Sequence, residues 1–138
     1  MLDKINHVAI AVADLDAAIA HYKSRYQVEP ESREVIETDG VEEAMLRVGD
    51  SYVQLIAPTG SDSTVARYLE RNGEGLHHIG YEVADVSEAL AHLKAAGARL
   101  IDNEPRRGGG GALVAFVHPK DGLGTLIELV GAGTAHGA

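Results

Sequence analysis

The chain has 138 residues, 45% of them hydrophobic and 24% charged, a balance that supplies a globular core and argues against disorder. Its formal net charge of −9, with no cationic cluster beyond Arg106–Arg107 and only 4% aromatic residues, argues against nucleic acid and anionic membrane as partners. There is no cysteine, which removes disulfides, thiolate chemistry and Cys-type zinc sites and suits a reducing cytoplasm.

The opening "MLDKINHVAIAV" lacks the basic, apolar and small-residue succession of a signal peptide, and no apolar run reaches the roughly 20 residues of a membrane span. "HVAIAV" reads as a strand, and Asp14 as the N-cap of a helix over 15–26, with Leu15, Ile19 and Tyr22 at spacings of three and four. Strands are predicted at 32–38, 42–49 and 51–57, the last two joined by the "GD" turn at 49–50. A linking helix over 63–72 follows, capped by Asp62 or Ser63. "HIGYEV" is the next strand, and Asp85 caps a helix over 86–96 built on Val86, Leu90 and Leu93 and ended by Gly97. Strands at 98–102, 112–118 and 124–130 complete the pattern, the last two joined by "PKDG", and the tail "GAGTAHGA" is expected to fray.

The chain repeats itself. A shift of 71 residues lays His7 on His78, and 8 of the 20 positions from 7 to 26 are then identical to their counterparts. His77 therefore points to the opposite face of its strand from His78. The predicted fold is α+β: two tandem βαβββ modules, about 5–58 and 75–130, in one domain spanning 1–138. Two open sheets of this kind can share one curved, half-closed barrel with a cleft.

Aligning "YVQLIAP" with "TLIELVG" pairs Gln54 with Glu128. Two imidazoles, an amide and a carboxylate thus occupy repeat-equivalent places in apolar strands. A lone histidine at a strand end is commonly just hydrogen-bonded. A carboxylate inside "LIELV", however, is costly to bury without compensation, and a divalent cation held by His7, Gln54, His78 and Glu128 would provide it. A sulfur-free N/O set that leaves two positions open on a six-coordinate ion suits cobalt, manganese, nickel or ferrous iron better than closed tetrahedral zinc. His21 and His92 correspond too, but on helices among Ala and Lys. His118 either lines the cleft or braces its turn, and His136 is in the tail.

The paired modules, with His in the first strand and Glu in the last, resemble the vicinal oxygen chelate superfamily (the glyoxalase, bleomycin resistance and dioxygenase proteins). Within it, "NHVAIAV", "GVEEAML", "VQLIAP", "DSTVARYL", "GLHHIGYEV" and "HPKDGLGTLIEL" resemble the methylmalonyl-CoA epimerases, from about residue 5 to 130. The resemblance implies one divalent metal per chain on His7, Gln54, His78 and Glu128, cobalt first among the candidates, with manganese, nickel, zinc or iron as alternatives. It implies methylmalonyl-CoA as substrate, a homodimer, and Glu43 and Glu128 as an acid/base pair. "GVEEAM" leaves a register choice between Glu42 and Glu43, and Glu43 falls where the family's glutamate does. The implied reaction is two-base 1,1-proton transfer at C2 through a metal-stabilised enolate, interconverting the (2R) and (2S) forms.

"RRGGGGA" is not a phosphate-binding P-loop, since no Lys-Ser/Thr and no helix follow it. It reads as a hairpin loop, and Arg106, Arg107 and Lys120 are the cations within reach of CoA phosphates. The rival readings are a glyoxalase I-type lactoylglutathione lyase, which has Glu where Gln54 stands, an extradiol dioxygenase, and a non-enzymatic ligand-binding protein on the same scaffold.

Overall fold

In a computed structural model, residues 1–132 are described. The elements run β1 (Lys4–Ala11), α1 (Leu15–Tyr26), β2 (Ser32–Ile36), β3 (Val41–Val48), β4 (Ser51–Pro58), α2 (Thr64–Asn72), β5 (Gly75–Val83), α3 (Val86–Ala95), β6 (Arg106–Arg107), β7 (Leu113–Val117) and β8 (Leu126–Gly131). Parallel and antiparallel pairs alternate with helices, so the α+β class holds. The chain divides into two compact units, residues 8–77 and residues 1–7 with those from 78 onward. The division cuts β1, whose first residues through His7 belong with the second half of the chain.

In the unit of residues 8–77 the strand order is β2-β3-β4-β1. The unit from 78 onward has the order β5-β8-β7-β6 when read from its first strand. In each, the module's first strand lies beside its last, which is the topological signature of the repeat. The helix starts repeat as well. Asp14 accepts from Ala17 N and Asp85 from Glu88 N, both at 3.0 Å, with both cap residues extended. Gly97, at φ 82°, takes the left-handed step that ends α3.

The packing differs between the units. Val86, Ala89 and Leu90 of α3 are buried against Val83, Ala115, Val117 and Leu129. α1 buries only Leu15 fully, beside Val12, Ala44, Leu46, Leu55 and Ala57. A groove of about 480 Å³ runs along α1, lined by Ile10, Val12, Ala18, Tyr22 and Leu55 among others. α2 packs Val65 onto a third cluster with Ala9, Ala11, Val41 and Ile56.

One predicted strand is corrected. Residues 98–102 form no strand and make a single bridge, Leu100 to Val117. The Asp102 carboxylate accepts the Phe116 N–H at 2.8 Å, taking the place of a backbone carbonyl, and Pro105 has no N–H to offer. The module's second strand is instead β6, and the glycine run 108–111 is the hairpin loop that returns it to β7. β2 is also shorter than expected, passing at Glu37 into a 3-10 turn. β8 extends through Gly131, and the predicted frayed tail beyond 132 lies outside the described residues.

Candidate active site

Alternation along the strands builds the first cluster. Val83 of β5 and Leu129 of β8 enter the core beneath α3, so His78 and Glu128 occupy the opposite face. β5 and β8 are parallel, with Gly80 opposite Glu128. His7 completes the group: its Nε2 lies 2.9 Å from Glu128 Oε1. His78 Nε2 lies 3.0 Å from the same oxygen, and the two Nε2 atoms are 3.2 Å apart. The rings are nearly perpendicular, at 87°. All three residues are buried. The His7 ring fills the space that a side chain on Gly80 would need. Phe116 of β7, paired with Glu128 of β8, presents its ring edge-on to His78 at 5.3 Å and carries the Arg106 guanidinium 5.4 Å from its centroid.

Burial by itself raises the Glu128 carboxyl. Hydrogen bonds from His7 and His78, and their charge, outweigh it and hold this group well below the usual carboxylate range. Three lone-pair atoms meet here, so protons or a cation must lie among them. Adjacent corners of an octahedron around an ion at about 2.1 Å are about 3.0 Å apart, against about 3.4 Å for a tetrahedron. The separations of 2.9 and 3.0 Å fit the octahedral edge, and the 3.2 Å between the two imidazoles lies between the two edges. Two imidazoles and a carboxylate on one triangular face are a donor set suited to a six-coordinate divalent ion with open positions.

The unit of residues 8–77 contributes a different pair. Met45 pairs with Gln54 across β3 and β4, and Glu43 with Ile56, so Glu43 and Gln54 are diagonal neighbours on one face. Gln54 Nε2 donates to Glu43 Oε1 at 2.7 Å. Glu43 is only 1% exposed. Gln54 Oε1 is buried and has no hydrogen-bond partner among the described residues. Leaving such an acceptor unpaired costs about 1–3 kcal/mol, a cost a ligand at that atom would offset. Glu42 has a different fate. It pairs with Arg33 at 2.8 Å on the surface, and that bond, with a second that Arg33 donates to Asp16, raises the arginine's pKa. The buried carboxylate of "GVEEAM" is therefore Glu43.

The remaining histidines have structural surroundings. His118 Nδ1 accepts from Lys120 N at 3.1 Å and so caps the turn over 119–121. His77 packs edge-on against Tyr68, and His21 lies near Tyr22 and Tyr26 on α1. His92 is exposed in the last turn of α3, and His136 is outside the described residues. Asn6, Gly80 and Phe116 were not anticipated. Asn6 had one available signal, a polar side chain beside His7 that is itself buried, but alternation alone would send it to the other face.

Comparison with known proteins adds to this geometry. The model of the glyoxalase/bleomycin resistance protein/dioxygenase superfamily matches residues 6–116. An ethylmalonyl-CoA/methylmalonyl-CoA epimerase of Cereibacter sphaeroides is 41% identical over 94% of this chain and 98% of its own. The mitochondrial methylmalonyl-CoA epimerase of Homo sapiens is 37% identical over 93% of this chain and 73% of its own. A solved methylmalonyl-CoA epimerase in complex with methylmalonyl-CoA and ammonium superposes with a TM-score of 0.93 at 44% identity, over 97% of this chain and 98% of that one.

Proposed function

This chain belongs to the glyoxalase/bleomycin resistance protein/dioxygenase superfamily, and on that footing we propose that it is a metal-dependent epimerase interconverting the two C2 forms of methylmalonyl-CoA. The observation that carries the reading is the buried triangle of two imidazole nitrogens and one carboxylate oxygen. His7, His78 and Glu128 hold a divalent ion, and Gln54 supplies a fourth ligand through Oε1. Support for Gln54 is its bare, buried acceptor. Cobalt is assigned first, on the sulfur-free N/O set. Manganese, nickel, zinc or iron are served by the same donors. Bound there, the ion supplies positive charge where the thioester oxygen gains electron density.

The proton chemistry belongs to two carboxyl groups. Glu128, held ionised by its imidazole neighbours, takes the C2 proton, and the C–H electron pair passes to the thioester carbonyl to give the enolate. Glu43, as the carboxylic acid, returns a proton to the other face of C2. The roles are then exchanged for the opposite enantiomer. Gln54 orients Glu43 through its 2.7 Å bond. We read the two modules as one catalytic domain, 1–138, acting as a homodimer in the cytoplasm. The cysteine-free composition and the lack, among the described residues, of a helix long and apolar enough to cross a membrane support that placement.

The test incubates cobalt-loaded protein with one enantiomer of methylmalonyl-CoA in deuterated water. Deuterium at C2 together with inversion is expected. Neither event, alongside turnover of a glutathione hemithioacetal, would replace the reading with a glyoxalase I-type lyase. Inert binding of acyl-CoA without metal would make the chain a binding protein.

A further inference from the structure

His7 Nδ1 lies 2.8 Å from Asn6 Oδ1, and both residues are buried. An amide carbonyl oxygen only accepts hydrogen bonds, so the proton in this contact is on Nδ1. A neutral imidazole protonated at Nδ1 has a bare lone pair at Nε2. That is the atom turned toward Glu128 Oε1 at 2.9 Å and His78 Nε2 at 3.2 Å. The opposite tautomer would place an N–H where a ligand atom is needed and would leave Asn6 Oδ1 facing a second lone pair. The neighbouring backbone fixes where the ring sits. Because Gly80 has no side chain, the His7 ring can lie flat into that space, with Nδ1 reaching Asn6 and Nε2 reaching the triad at once.

We infer that Asn6 is a positioning residue, which fixes His7 in the Nδ1–H form and so presents Nε2 as a metal ligand. Asn6 does not touch the triad's ligand atoms in this role. It acts through the far nitrogen of the ring, as hydrogen-bond acceptors behind metal-bound histidines do, and changes to such partners typically cost about 10–100-fold in metal affinity. The inference rests on the reading of His7 as a metal ligand, but it concerns a proton whose position can be measured without turnover. Its content is also specific to chemistry rather than shape. Aspartate in place of Asn6 keeps an acceptor for Nδ1–H, whereas leucine has similar bulk and none.

The decisive measurement is the imidazole nitrogen spectrum of the ¹⁵N-histidine-labelled protein loaded with diamagnetic zinc, assigned with a His7→Gln control. We expect His7 to show a protonated Nδ1 and an Nε2 shifted as a metal ligand. Asn6→Asp should preserve that signature and Asn6→Leu should lose it. Calorimetric titration with cobalt should then show a loss of about 10–100-fold for Asn6→Leu and near-native affinity for Asn6→Asp. A wild-type His7 protonated at Nε2 would overturn the inference without any variant having to fold. So would Asn6→Leu protein with unchanged tautomer and affinity. A protein that shows the expected tautomer and affinity pattern but does not epimerise methylmalonyl-CoA would sink the proposed reaction and leave the role of Asn6 supported.

Discussion

The unit of residues 8–77 and the unit from 78 onward share a strand order, a helix-capping device and a hairpin plan, yet they hold different polar groups. One holds Glu43 and Gln54, a carboxylate bonded to a neutral amide with an acceptor left bare. The other, with His7, gathers three lone-pair atoms within 3.2 Å. The repeat keeps what the backbone needs, while the chemistry of its two halves differs. Caps and apolar faces repeat because every module must start its helix and bury its sheet. Polar groups facing away from the α3 core, or diagonal across β3 and β4, are free to differ, because no packing rule decides them.

The largest expected effect tests this divergence at Glu43. Glu43→Gln keeps shape and hydrogen bonding but cannot carry the proton, so epimerisation should fall by about 10²–10⁴-fold with the metal retained. Deuterium exchange should persist for the enantiomer whose proton faces Glu128. Glu42→Gln should cost little, since Glu42 lies in a surface pair with Arg33. Near-native epimerisation by the Glu43 variant would remove the two-base scheme.

Next in size is the metal. His78→Ala should lose most of its cobalt by elemental analysis, while His77→Ala, a neighbour packed on Tyr68, should keep it. Equal retention in both would break the contrast between the units. Glu128→Gln should lower metal content and epimerisation together, which distinguishes it from Glu43→Gln.

A smaller, structural effect compares the two helices. Leu90 of α3 is buried at 2% exposure, and Leu90→Ala should cost about 2–5 kcal/mol in denaturant unfolding. Its repeat counterpart Ile19 is only partly buried, so Ile19→Ala should cost less. Equal losses would mean that α1 is as firmly packed as α3.

The smallest effect should be the same in both units. Asp14→Ala and Asp85→Ala each remove one side-chain acceptor from a helix N-terminus, and each should cost about 1 kcal/mol. A cap that mattered in one unit alone would show that the repeat is not equivalent even where its residues are identical.

Local patterns made much of this legible before any coordinates. Asp caps and apolar spacing, which act within one or two turns, predict helices over 15–26 and 86–96, and the structure has Leu15–Tyr26 and Val86–Ala95. The pairing of His7 with His78 followed from the repeat alone. The strand expected at 98–102 failed because a side chain, Asp102, took the hydrogen bond that a strand pattern assigns to backbone. Whether Glu42 or Glu43 is the buried member needed the sheet, since alternation says only that the two differ.

The sequence by itself thus determined the doubled βαβββ plan, the acidic and cysteine-free character of the chain, and the residue types offered as ligands, because these depend on composition and on contacts between near neighbours. Tertiary structure alone decided that His7 belongs with the second half of the chain and that Glu128 is shared by two imidazoles. Those facts depend on distances of about 3 Å between atoms up to 121 positions apart in the chain, and no local rule of spacing or propensity reaches that far.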